Sequence, residues 1–166
     1  MNSITKSEYD QIRDKAASIQ KKWLKVPAPR RGEVLRVFGN QLRESQEDIA
    51  HCIMTDARKI RAEALGEVQE AIDMCDFAVG LSRQIYGLTI ASERPEHKLQ
   101  EAYHPMGVIG VITAFTVPCA VWAWNHCLSM VCGNSVVWKG SPKTLNVTAA
   151  CKKAWDQAVQ NCMPGE

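Results

Sequence analysis

The sequence predicts an α/β protein in three parts: a helical N-terminal part over 1–87, a protruding pair of strands over 88–106, and the opening βαβα of a parallel-sheet domain over 107–166. Three observations predict this. Apolar residues recur at helical spacing up to Tyr86. The period is lost in LTIASERPEHKLQEAYHPM (88–106), where Thr, Ile and Tyr surround a turn at Pro95. Two β-branched runs, Val108–Thr113 and Ser135–Lys139, then flank an apolar segment, Cys119–Cys132, broken only by Asn125, His126 and Ser129. Strand, helix and strand in that length make a βαβ unit, which is right-handed with parallel strands.

Taken in order, the first helix covers 3–23, capped by Thr5 or Ser7, with Tyr9, Ile12, Ala16, Ile19 and Trp23 forming its apolar stripe. Val26-Pro27-Ala28-Pro29 ends it. A second helix spans Arg31–Ser45 with Val34, Leu35, Val37, Phe38 and Leu42 inward, and a third runs from Gln46 to Lys59. The fourth and longest, Arg61–Tyr86, carries Leu65, Val68, Ile72, Cys75, Val79 and Ile85, and Gly87 stops it. The excursion reads as two strands, Gly87–Ser92 and Lys98–His104, of the exposed kind that makes subunit contacts. Gly133-Asn134 ends the helix of the βαβ unit, because glycine takes the left-handed conformation past a helix end without a Cβ penalty. A last helix occupies 144–161, and Met163-Pro164-Gly165-Glu166 reads as a loop.

Composition narrows the function classes. A net charge of +2 points to neither nucleic acid nor an anionic membrane. Residues 1–20 hold no apolar run of the secretory-signal kind, and Val117–Cys132 is too short and too interrupted to span a bilayer. The seven cysteines are odd in number, lack C-x-x-C spacing and fall on apolar helix faces, which predicts buried free thiols in a reducing compartment and no metal site. His51, His97, His104 and His126 have no patterned carboxylate or nucleophile beside them, so none is predicted to be catalytic.

The chemistry concentrates at one edge. Parallel strands deliver Thr113-Ala114-Phe115-Thr116 and Lys139-Gly140-Ser141 to the same carboxyl end of the sheet, where open α/β sheets bind ligands. Spacing alone leaves Lys139 open between a lysine that reaches ligand hydroxyls or phosphates and one that points to solvent. Thr116 precedes the helix that Pro118 opens. It reads either as a plain N-cap or as a donor to an anion or carbonyl oxygen held at that helix N-terminus. Neither G-x-G-x-x-G nor G-x-x-x-x-G-K-[ST] is present.

The stretch GVIGVITAFTVPCAVWAWNHCLSMVCGNSVVWKGSPKT (107–144) resembles the first βαβ of the Rossmann-like NAD-binding domain of aldehyde dehydrogenases. GEVQEAIDMCDFAVGLSRQIYGLTIASERPEHKLQE (66–101) and the Lys139-Gly140-Ser141-Pro142 turn are most similar to the antiquitin branch, the α-aminoadipic semialdehyde (piperideine-6-carboxylate) dehydrogenases. The resemblance implies that Thr113, Ala114 and Phe115 line an NAD crevice and that Lys139 holds the adenosine ribose hydroxyls. It implies that residues 88–106 belong to an oligomerisation element, giving homodimers or tetramers. A semialdehyde-class substrate and a cytoplasmic setting follow as expectations. Thr116 stands where the family has the asparagine that donates to the oxyanion, and its hydroxyl donates only one hydrogen bond. In Thr55-Asp56-Ala57-Arg58-Lys59-Ile60 the family's glycine before the lysine is also missing. The family's nucleophilic cysteine, general-base glutamate and glycine-bearing cofactor turn match nothing here. The chain is therefore expected to be an N-terminal fragment, inactive alone, or else a non-catalytic or remnant partner of a full-length subunit.

Overall fold

A computed structural model describes residues 4–162. Helix α1, Lys6–Trp23, begins in a capping box: Glu8 N donates to Thr5 Oγ1 at 3.2 Å, and Thr5 N donates to the Glu8 carboxylate at 2.7 Å. Of its expected stripe only Ala16 and Trp23 are buried, while Tyr9, Ile12 and Ile19 are exposed. The reason is that α1 touches the rest of the fold along one narrow seam. Gln20 Nε2 donates to Gly133 O, Trp23 Nε1 to Met130 O, and Ser135 Oγ to Ala16 O.

Helix α2, Ala28–Glu44, starts three residues before the expected Arg31. Pro27 and Pro29 stop α1 and start α2 together, since a helix's first turn has no use for the N–H that proline lacks. Arg31 is buried against the end of the later βαβ helix and donates to Val131 O at 2.8 Å; burial pulls its pKa down. Helix α3, Gln46–Ala57, ends two residues short of Lys59 because Arg58 adopts a left-handed conformation, φ 60°. Helix α4, Arg61–Leu81, stops before the expected Tyr86, where Ser82 Oγ donates back to Val79 O at 2.6 Å. Leu35, Phe38 and Leu42 of α2, Ile49 and Ile53 of α3, and Val68, Ile72 and Cys75 of α4 are fully enclosed and make the core.

The excursion pairs over two residues per strand, β1 Thr89–Ile90 antiparallel to β2 Leu99–Gln100. That is far shorter than the expected strands Gly87–Ser92 and Lys98–His104, because nothing packs on either face: Leu88, Ile90, Leu99 and Tyr103 are all exposed. The second sheet pairs β3, Val108–Ile112, in parallel with β4, Ser135–Lys139, in the register Val108↔Ser135 to Ile112↔Lys139. Helix α5, Ala120–Val131, crosses between them and ends at Gly133, φ 89°, as the sequence predicts. Helix α6, Leu145–Cys162, follows β4. Ser3 and the expected loop Met163–Glu166 lie outside the described residues.

Side chains alternate across a strand. Ile109, Val111, Val136 and Trp138 face the helical core, whereas Gly110 and Ile112 are exposed on the other face, Ile112 being 79% exposed. The expected incomplete α/β sheet is therefore present, closed on one side and, on the other, covered at the Ser135 end, which bonds to α1, and open at the Ile112 end. The seven cysteines are free thiols, and Cys75, Cys119, Cys127 and Cys151 are buried. The Cys151 thiol and burial together push Cys119 up, and Cys75 and burial do the same to Cys127, which keeps both protonated and unreactive. Among the described residues no helix is long and apolar enough to cross a membrane.

Candidate cofactor edge

Both strand ends arrive at one place. Thr113 N donates to Lys139 O at 3.2 Å and extends the ladder one step past the strands. Thr113 itself is buried, and its Oγ1 accepts from Trp138 Nε1 at 3.0 Å. Its side chain is thus committed inward, leaving only its backbone to the edge. Ala114, Phe115 and Thr116 are exposed beyond it, as is Lys139. Lys139 takes part in no ion pair among the described residues.

The loop after Lys139 is tightly built. Gly140 lies so close to the Thr148 side chain that a Cβ there would collide with it. Ser141 and Thr144 are buried; Lys143 N donates to Ser141 Oγ at 3.2 Å and Thr144 N to Ser141 O at 3.1 Å. Lys143 is exposed and sets its Nζ over the Phe115 ring, 4.5 Å from the centroid, so it bridges the two strand-end loops.

Two helices begin at this edge, and the chain's own carboxylates occupy both N-termini. At α5, Glu67 Oε1 accepts from Cys119 N at 2.7 Å and from Ala120 N at 3.4 Å. Its other oxygen accepts from Lys59 Nζ at 2.7 Å, in a pair whose side chains are 3% and 20% exposed. At α6, Asp56 Oδ2 accepts from Asn146 N at 2.9 Å and Val147 N at 3.2 Å, and Oδ1 accepts from Asn146 Nδ2 at 2.8 Å. The α5 N-cap position is Cys119, not Thr116, and Glu67 does the capping. Glu67 thus takes two of the amides at this N-terminus, those of Cys119 and Ala120.

Sequence reasoning missed Lys59, Glu67 and Asp56. A signal for Glu67 existed. It stands among Ala64, Val68 and Ala71 on the buried side of α4, and a carboxylate in an apolar stripe requires a partner. Nothing local marks Asp56, whose partners lie ninety residues on. Away from this edge, a cavity of about 440 Å³ lies between α1, α5 and α6, lined by Trp23, Val34, His126, Met130 and Trp155 among others. His126 there is a core residue packed against Phe38, Trp122 and Trp155, and burial pushes its pKa down to about 3.

The model of the aldehyde dehydrogenase family matches residues 1–165. The chain belongs to the aldehyde dehydrogenase family. It is 51% identical over 146 residues to aldehyde dehydrogenase family 7 member A1 of Brassica napus, covering 87% of this chain and 30% of that one. It is 43% identical to the α-aminoadipic semialdehyde dehydrogenase of Bos taurus, covering 96% of this chain and 30% of the relative. Among solved structures, lactaldehyde dehydrogenase from Escherichia coli superposes with a TM-score of 0.84 at 28% identity, over 87% of this chain and 30% of its own. A glyceraldehyde-3-phosphate dehydrogenase from Methanocaldococcus jannaschii complexed with NADP has the same fold, TM-score 0.91 at 22% identity, over 98% of this chain and 35% of its own. The chain thus spans about 30% of the length of the curated aldehyde dehydrogenases it matches.

For an aldehyde dehydrogenase, the donor set at this edge fits one end of a nicotinamide dinucleotide better than the other. An exposed ammonium beside exposed backbone suits ribose hydroxyls. The pyrophosphate finds no free helix N-terminus at α5 or α6, where Glu67 and Asp56 hold the amides and would repel it.

Proposed function

We propose that this chain supplies the adenosine-ribose side of the NAD site of an aldehyde dehydrogenase of the antiquitin type, an enzyme that oxidises a semialdehyde-class substrate to the acid. The observation that carries this reading is the convergence of exposed Lys139 with the Ala114–Phe115 backbone, beside two helix N-termini already neutralised from within. NAD bound there supplies the hydride acceptor. Lys139 donates to the ribose hydroxyls, and the backbone of Thr113, Ala114 and Phe115 forms the wall beside it. Thr116 is exposed at the oxyanion position, where a hydroxyl offers one donor in place of the two of an amide. Loss of one oxyanion donor costs about 10²–10³ in rate.

On this reading the chain alone binds the cofactor weakly and oxidises nothing, and the longer enzyme is a cytoplasmic homo-oligomer that assembles through residues 88–106. Calorimetric titration with NAD tests it: Lys139→Met is expected to abolish the binding without lowering the melting temperature. NADH formation from an aldehyde in proportion to the amount of this chain would refute the inactivity.

A second reading has its own observation. Leu88, Ile90 and Tyr103 of the excursion and Ile112 of the open sheet face are exposed apolar groups that fit a partner subunit. This reading makes the chain a non-catalytic companion of a full-length aldehyde dehydrogenase. Co-purification with such a subunit, lost in Ile90→Lys, supports it; independent elution overturns it.

A further inference from the structure

We propose that Cys119 and Cys151 form a redox-modification site, a dithiol that a hydroperoxide converts into a disulfide tying the start of α5 to α6. The proposal stands apart from the nucleotide reading of the sheet edge.

Two pairs of thiols meet inside the fold. The Cys151 thiol donates to Cys119 Sγ at 3.6 Å, and Cys75 Sγ and Cys127 Sγ meet at 3.6 Å as well. All four are buried free thiols. A disulfide bond is about 2.05 Å long, so either pair has only about 1.5 Å to close. Distance does not separate the pairs; access does. Cys75 and Cys127 lie between α4 and α5, and α5 is held by α2, α4 and the sheet together. Cys151 lies on the one buried stripe of α6, with Val147, Ala154 and Ala158, against α2 and α3. In the closed fold both members of the outer pair are sealed. Undocking of α6 alone uncovers Cys151 and the Cys119 sulfur that faces it, whereas the inner pair stays shut until the core itself opens.

The chemistry balances with the peroxide as the co-reactant. While α6 is open, the Cys151 sulfur attacks hydrogen peroxide. The O–O bond breaks, the sulfur becomes a sulfenic acid and one water leaves. When α6 closes, Cys119 Sγ lies against that sulfur and attacks it. The S–S bond forms, the S–O bond breaks, and the hydroxyl leaves as a second water with the Cys119 proton. The two thiols lose two electrons and two protons, and the peroxide gains both. The partners stand 32 positions apart, and the ring they close contains α5, β4 and the Lys139–Thr144 turn. It joins the helix that follows the Thr113–Thr116 loop to the helix that follows that turn. The cross-link thus pins α6 and stabilises the fold by restricting the unfolded chain.

The test is treatment of the reduced native chain with hydrogen peroxide, alkylation of the remaining thiols in denaturant, and peptide mapping without reduction. The expected product is a monomer with one Cys119–Cys151 cross-link and with Cys75 and Cys127 recovered as alkylated thiols. Its melting temperature is expected to rise by about 5–10 °C and to fall back in dithiothreitol. Cys75→Ala is expected to keep the cross-link and the shift, and Cys151→Ala to lose both; the map of the unaltered chain decides the matter if a variant does not fold. Recovery of Cys119 and Cys151 as alkylated thiols overturns the proposal, as does a cross-link from Cys151 to the half-buried Cys52 of α3. Cross-linking of both buried pairs at one rate also overturns it, because that reports unfolding of the whole core and not opening of α6. A Cys119–Cys151 cross-link with an unchanged melting temperature overturns the pinning of α6.

Discussion

Helices α5 and α6 start at the same sheet edge, and each is capped by a carboxylate from the helical part before it, yet they are built on opposite terms. At α5 the cap is buried: Glu67 is nearly enclosed and paired with Lys59. Helix α5 itself buries Ala120, Trp122, Ala123, His126, Cys127 and Val131 between α4, α2 and the sheet. At α6 the cap is only half-buried: Asp56 holds the Asn146 and Val147 amides near the surface, and α6 buries one stripe, Val147, Cys151, Ala154 and Ala158, against α2 and α3. The difference teaches where this fold is rigid. A buried charge must be satisfied in full or it is costly, so Lys59, Glu67 and the Cys119 amide act as one unit. A half-buried cap within reach of water is lost at smaller cost.

Breaking the buried unit gives the largest expected effect. Glu67→Ala leaves the Lys59 ammonium and the α5 amides without their partner and is expected to lower unfolding free energy in urea by about 3–5 kcal/mol. A loss no larger than that of the corresponding Asp56 variant would erase the contrast between the helices.

The next largest effect is a pH dependence confined to α5. His126 is held neutral by burial, its folded pKa about 3 against 6.5 when exposed. The depressed folded value means that the unfolded chain takes up the proton first. Stability is therefore full above pH 6.5 and is lost as pH falls toward 3. Between the unperturbed histidine value and the unperturbed carboxylate value of 4.5, the expected loss is about 2–3 kcal/mol. His126→Leu, which keeps the ring's apolar contacts with Phe38 and Trp155 in part, is expected to flatten urea midpoints over that window. An unchanged slope would place the titration elsewhere.

This contrast was only half legible in the sequence. Period and turn residues located both helices to within a few residues, the Gly133 stop of α5 among them, because hydrophobic pattern and backbone chirality are local. The strand-end residues Thr113 to Thr116 and Lys139 were legible for the same reason: a βαβ unit fixes where its strand ends go. Three things were not local. The sequence places Thr113 at a strand end but does not show that its hydroxyl accepts from Trp138, twenty-five residues on. Thr116 looks like a cap until Glu67, fifty-two residues from Cys119, is seen in that place. Tyr9, Ile12 and Ile19 form a convincing stripe, but periodicity says nothing of whether another element lies over it.

The smallest expected effect concerns α6 and sharpens the comparison most. Asp56→Ala removes a half-buried cap, and the expected loss is about 1 kcal/mol in urea unfolding, with Asp56→Asn recovering most of it because an amide oxygen still accepts from Asn146 and Val147. The vacated amides then become what the sequence suggested this edge would offer, a helix N-terminus open to an anion. Sulfate is therefore expected to raise the melting temperature of Asp56→Ala more than that of the unaltered chain or of Asp56→Asn. The same addition to Glu67→Ala is expected to recover little, since a hydrated anion cannot enter a site that the Cys119 turn, α4 and Lys59 enclose. Equal rescue of both variants would mean that the α5 cap is as open to solvent as the α6 cap, and that the two ends of this edge differ in sequence but not in kind.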